Sequence, residues 1–280
     1  MNVKRDDAEV VLLASQLGKR SNNRKRLGQI VTCVISLFIL CGCSLNQERK
    51  VTVSPQQLIT ESEVLAIADI AITELESLLN FELTHRPAVH FLTPEQLRLH
   101  ILSRSETVDI ERAQTLSHYS QSVVAIYCEY EKDIYVVADN IQLYESPNYS
   151  AQQAVYDEIL QILIHELVHA IQDQRGLLNW HSNSTEQYGA FITLVEGHAE
   201  LQTALVLQRM GVIDDIYGYG LQTLPSSSDD SEFNRYSEAL SHRYIVGKRI
   251  FNDIHKQYGN DATWLALKAP RQQIQQMLKH

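Results

Sequence analysis

Cysteine is scarce in most of this chain. Of four in 280 residues, Cys33, Cys41 and Cys43 crowd into the first 43, and Cys128 stands alone in the rest. A body with one cysteine has no intramolecular disulfide, which excludes a disulfide-stapled scaffold; a lone Cys in an apolar strand is most often a small core residue. The apolar run "IVTCVISLFILC" (30–41) falls short of the ~20 residues that a membrane-spanning helix needs. Positive charge is short as well. The first 43 residues hold seven of the 24 Lys and Arg and three of the 34 Asp and Glu, so the remainder carries 17 against 31, a balance of −14. An acidic body argues against nucleic acid as a partner and against electrostatic adhesion to anionic lipid. No internal repeat is visible, and nothing in the composition is collagen-like or disordered. With 44% hydrophobic residues the chain can build one good-sized core or two small ones.

What is present begins with a basic start: Lys4, Arg5, Lys19, Arg20, Arg24, Lys25 and Arg26 precede the apolar run. That order of charge and apolar core is the pattern of a signal peptide. The run closes on "LCGC" (40–43), which resembles the lipobox of bacterial lipoproteins, where the signal is cut before a Cys that receives lipid. The resemblance implies a lipoprotein signal peptide over 1–42, a lipidated Cys43 with a polar tether over 43–58, and a protein held at the bacterial cell envelope, facing the periplasm or the outside. The membrane partner would then be engaged through lipid and not through the protein surface. The alternative is an ordinary signal peptide or a weak membrane anchor.

Residues 59–280 read as a single domain. Thr60 and Glu63 form a capping-box pattern ahead of a helical repeat of apolar positions from Leu65 to Leu78. "AVHFLT" (88–93) reads as a strand, and Thr93, Pro94 and Gln96 announce a second helix. "SVVAIYCEYEKDIYVV" (122–137) reads as two β-rich runs around a turn at "YEKD". From Ser150 onward the pattern is helical: one helix from the Ser150–Gln153 cap to about Gln174 with Gly176 as its stop, one from about Gln187 to Met210 ended by Gly211, one over Glu232–Tyr258 with Gly259 at its end, and short helices after it, the last opened by Pro270. Strands early and helices late predict an α+β domain, a small N-terminal mixed sheet packed on a mainly helical body.

The first of these long helices poses a chemical question. "QILIHELVHAIQDQ" (161–174) is apolar almost all the way round, yet His165, Glu166 and His169 sit inside it. Buried titratable groups without partners are expensive. His165 and His169 are one turn apart and project from one face, so both imidazoles can share an ion. Glu166 lies about 100° further round the helix, placed to touch an ion-bound water without ligating the ion. This is the H-E-x-x-H arrangement of zinc hydrolases; the alternative is a pair of core histidines satisfied by hydrogen bonds. A catalytic zinc needs a third protein ligand. "LVEGHAEL" (194–201) supplies one in Glu196, a carboxylate in an otherwise apolar helix, with Gly197 beside it to let two helices approach closely around the ion. Glu200, one turn on, either accepts a hydrogen bond from the outer ring nitrogen of a liganding His or is a solvated helix charge. His198 points to the other side of the helix and reads as structural.

At this point "HELVHAIQDQ" followed by "LVEGHAE" resembles the gluzincin metallopeptidases, the thermolysin-like group in which a Glu from a second helix completes the zinc site. More narrowly it resembles a set of bacterial and archaeal proteins with "HELTHALQDQ" and "LVEGDA" motifs. The likeness extends over about residues 88–280 and is strongest over 160–201. It implies a zincin-like body, one Zn2+ held by His165, His169 and Glu196 between two long helices, and Glu166 as general base. The family pattern E-x-x-x-D maps onto Glu196 and Glu200, with Glu for Asp, and His198 replaces the Asp of "EGDA". By the same analogy "DIYVV" (133–137) would be an exposed sheet edge that holds an extended peptide substrate.

The function expected is a membrane-anchored, zinc-dependent peptidase acting on peptide or protein substrates. An oxyanion donor is needed, and the candidates are Tyr244 first, then His242 and His181. Two rivals stand beside this reading: a non-catalytic metal-binding lipoprotein, and a zinc amidase acting on cell-envelope material.

Overall fold

The computed structural model describes residues 58–103, 120–121, 123–141, 150–178, 185–219 and 232–268, with backbone alone for 185–186 and 232–242. The expected signal peptide, Cys43, the expected tether up to residue 57, His181, the side chain of His242 and the helix expected at Pro270 lie outside the described residues.

The order of elements is helix α1 (Glu61–Leu79), strand β1 (Val89–Phe91), helix α2 (Pro94–Ser103), strands β2 (Ala125–Cys128) and β3 (Asp133–Val136), a 3-10 turn (Ala138–Asn140), then helices α3 (Ala151–Gln174), α4 (Thr185–Arg209), α5 (Glu232–Tyr258) and α6 (Asn260–Lys268). The fold is α+β, mostly helical, with one three-stranded mixed sheet. Local chemistry sets the helix ends. At α1 both halves of the capping box form: the Glu63 N–H donates to Thr60 Oγ1 at 3.3 Å and the Thr60 N–H to Glu63 Oε2 at 2.7 Å. Thr93 and Gln96 repeat this ahead of α2, and Ser150 Oγ accepts from the Gln153 N–H at 3.1 Å to open α3. Such caps satisfy amide donors the helix leaves over, for about 1 kcal/mol each. Past α3 and α5 the chain turns at Gly176 and Gly259, whose φ of +69° and +79° side-chain-bearing residues rarely adopt.

The sheet order is β1–β3–β2, with β1 parallel to β3 and β2 antiparallel to it. The expectation that 133–137 offers an exposed edge is therefore wrong. β3 is the central strand, hydrogen-bonded on both sides, and the edges are β1 and β2. The hydropathy of two short runs does not say which one a parallel third strand will join, and here β1 adds to β3. Alternation along the hairpin divides the sheet's faces. Ala125, Tyr127, Ile134 and Val136 enter the main core with α1, α3, α4 and α6, while Ile126, Cys128, Tyr135 and Val137 form a smaller core with Leu97 of α2. Cys128 is a buried member of that second core.

Helix α3 runs through the centre, packed by α1, α4 and β2. From Ile159 to Gln172 nearly every residue is buried, which accounts for its lack of a polar face. Its last turn fastens the surroundings. Asp173 accepts from the Tyr127 hydroxyl (2.7 Å) and from Lys132 Nζ, and Gln174 holds the Thr84–His85 backbone through its Oε1 and Nε2. The hairpin is thereby set in register against the helix that carries the histidines.

Candidate metal centre

His165 and His169 project from one face of α3 and Glu196 meets them from α4, all three 0% exposed. His165 Nε2 lies 3.1 Å from Glu196 Oε2, His169 Nε2 lies 3.2 Å from the same oxygen, and the two ring nitrogens are 3.0 Å apart. The three atoms form a nearly equilateral triangle, and this group can hold a metal ion. Glu196 Oε1 is buried and has no hydrogen-bond partner among the described residues. Two imidazoles and a carboxylate brought this close, with a polar atom left over in a dry interior, are what a divalent cation satisfies and what a hydrophobic core does not. The same close approach couples the three groups electrostatically. Burial works against the charge on Glu196, but the neighbouring His169 and close contacts with both histidines outweigh it and hold the carboxyl down at about 2. Burial likewise opposes a charge on His165, but contacts with Glu196 and Glu200 raise its pKa to about 10.

Glu166 is also fully buried, one residue from the trio and outside it. Its Oε2 accepts the Tyr127 N–H at 2.6 Å, and its Oε1 has no partner among the described residues. The Val124 carbonyl accepts from Val137, so alternation along β2 places the Tyr127 N–H on the strand's outer side, toward α3. Burial pushes the Glu166 carboxyl up, partly offset by the two histidines. Glu200 sits 3.4 Å from His165 Nδ1 through its Oε1. The Tyr244 ring lies 6.0 Å from the His165 ring, between the metal trio and the smaller core.

Gly197 does permit a close approach, but not of the helix expected. A Cβ there would fall 2.0 Å from the Gly247 carbonyl carbon, so the glycine faces α5, while α3 meets the Glu196 side of α4. One residue along a helix turns the side-chain direction by about 100°, which is why Glu196 and its glycine neighbour cannot face the same partner. His198 stands outside the trio, wedged edge-on against Phe251 and Trp264 at 5.0 and 4.2 Å between ring centres. Burial and the Arg175 charge press its pKa down to about 3, so it is neutral.

Two residues escaped the sequence reading. Gln172 is fully buried, and its Oε1 lies 2.7 Å from His169 Nδ1. Its signal was a polar residue three positions past His169 on the same apolar helix. Lys248 is 0% exposed on α5, donates from Nζ to the Tyr219 carbonyl and lies over the Tyr219 ring at 4.6 Å. Its signal was a lysine inside the apolar "YIVGKRIF". No protein-family model, curated protein or solved structure matches the chain.

Proposed function

We propose that the protein is a zinc-dependent peptidase, lipid-anchored at a bacterial cell envelope, that hydrolyses peptide bonds with Glu166 as general base. The observation that carries this reading is the convergence of His165, His169 and Glu196 with a separate, half-satisfied carboxylate beside them. Donors at 2.0–2.1 Å from a tetrahedral zinc stand about 3.3 Å from one another, and the spacings of 3.0–3.2 Å come within a few tenths of an ångström of that. The mixed nitrogen and oxygen set suits zinc better than the all-oxygen surroundings of magnesium or calcium.

Zinc, when bound, polarises the scissile carbonyl and lowers the pKa of adjacent water. The chain's own residues supply the proton traffic. The Tyr127 N–H anchors Glu166 by Oε2, leaving Oε1 to take a proton from the attacking water and to deliver it to the leaving nitrogen. The dry surroundings that raise the Glu166 pKa make it a stronger base than an exposed carboxylate. Tyr244, half-buried with its ring 6.0 Å from that of His165, is the candidate donor to the developing oxyanion. Glu200 steadies His165 from its far nitrogen.

Metal analysis of the purified protein, joined to cleavage of a broad peptide library, tests the reading. Stoichiometric zinc with chelator-sensitive cleavage supports it. Stoichiometric zinc without peptide cleavage directs attention to cell-envelope amides or to a non-catalytic role, and absence of zinc ends it. A base with one free oxygen has no task in a purely structural site, which favours catalysis over the non-catalytic rival. The anchoring half is tested separately: Cys43→Ser abolishes incorporation of labelled lipid and releases the protein from membranes, and unchanged lipid labelling in that variant refutes the lipoprotein assignment.

A further inference from the structure

We infer that Gln172 is a positioning residue for the metal centre, fixing the tautomer of His169 and tying the two ligand-bearing helices together through one amide. The inference rests on the zinc reading and on the direction of the hydrogen bonds around that amide.

A backbone carbonyl only accepts. Gln172 Nε2 lies 3.0 Å from the Val195 carbonyl oxygen, so that end of the amide is the NH2 group and the opposite end is the oxygen. That oxygen faces His169 Nδ1 at 2.7 Å, so Nδ1 carries the hydrogen and donates it. The neutral ring then has its lone pair on Nε2, the atom that lies 3.2 Å from Glu196 Oε2 within the metal trio. The second amide hydrogen is used as well. Gln172 Nε2 lies 3.1 Å from His198 Nδ1, which must accept, and His198 Nε2 then bears its hydrogen toward Thr263 Oγ1 at 3.4 Å. The Val195 carbonyl, an acceptor in every state, leaves the amide one orientation, since flipping it would set oxygen against oxygen.

The same amide does mechanical work. Val195 is the residue before Glu196, so Gln172 grips α4 next to the third ligand while its other end holds the second ligand on α3. All of these groups are 0% exposed, so water does not compete for the bonds. Gln172 thus serves His169 as Glu200 serves His165, each at the Nδ1 of its ring, one neutral and one charged. His198 is the far stop of the device. Its ring, held edge-on between Phe251 and Trp264, keeps the amide from rotating.

The test uses the full chain in detergent, with Zn2+ affinity from chelator competition and the visible spectrum of the Co2+-loaded form as readouts independent of activity. Gln172→Met removes the acceptor with little change in volume. The expected result is a 10–100-fold loss of zinc affinity, the range found when a group orienting a metal ligand is removed, with a shifted cobalt spectrum. Gln172→Glu keeps an oxygen for the His169 Nδ1–H and recovers part of that loss. A purely structural glutamine would lower the melting temperature of both variants and leave zinc affinity and cobalt spectrum as in the parent; that outcome overturns the inference. Should Gln172→Met fail to fold, nitrogen-15 NMR of the zinc-free parent decides: hydrogen on Nδ1 of His169 upholds the inference, and hydrogen on Nε2 alone overturns it. A parent that takes up no zinc sinks the proposed function instead, and leaves the tautomer measurement standing on its own.

Discussion

The two oxygens of Glu166 have unequal surroundings, one held by the Tyr127 N–H and the other without a partner among the described residues. Glu166→Gln keeps an oxygen for that N–H and leaves the metal trio untouched, but its amide takes no proton from water. Metal content in this variant stays near stoichiometric by elemental analysis, while kcat/KM falls by about two to four powers of ten, the usual share of a general base. Undiminished activity would refute the mechanism. Glu196 and Glu200 are separated by the same logic. Glu196 contributes an oxygen to both histidine contacts, whereas Glu200 reaches the outer nitrogen of His165 only. Glu196→Ala is expected to abolish zinc binding in a titration, and Glu200→Ala to weaken it by about 10–100-fold. The reverse order would reassign the site.

Among the elements, the helices were readable from the chain and the strand order was not. The capping pairs at Thr60–Glu63 and Thr93–Gln96 fall within three residues of each other, and the hydrogen bonds they predict form as read. The span Glu232–Tyr258 is found as expected, because an apolar stripe and a terminal glycine are local signals. Whether β1 joins β2 or β3 depends on groups more than thirty residues apart, and no short window contains that choice. The centre shows the same division. The spacing of His165, Glu166 and His169 announced them, and burial on an apolar helix announced Glu196. Gln172 and Lys248 acquire meaning only once α4 and the 211–219 segment are packed beside them. The α4–α5 crossing makes a prediction of its own. Gly197→Ala places a methyl carbon 2.0 Å from the Gly247 backbone, where no flexible side chain can move aside. Overpacking of this kind costs about 1–3 kcal/mol or more, so the denaturation midpoint drops well below the parent's. A midpoint equal to the parent's would show that the helices lie further apart than described.

On the scale of the whole molecule, buried charge ties stability to pH. Burial presses the Lys248 ammonium from its ordinary 10.5 down to about 8, against the opposing pull of Glu200 and Asp215. Between pH 8 and 10.5 the unfolded chain holds a proton there that the folded chain has released, so stability rises with pH across that window. Below pH 8 both states carry the charge and the full burial penalty is present. Lys248→Met lacks this dependence, and melting curves should show the parent gaining on the variant by up to about 3 kcal/mol from pH 8 to 10.5. Parallel curves would contradict the burial of the charge. The paired glycines at the helix crossing bear on the molecule's history as well as its stability. Neither position can accept a larger residue while the other helix stays where it is, so drift at one demands a coordinated shift of all of α5, Lys248 included. Gly197 and Gly247 therefore constrain the architecture independently of the chemistry it carries. A chain that keeps the two histidines but carries a bulky residue at either glycine has parted from this architecture, even if its side chains could hold a metal ion.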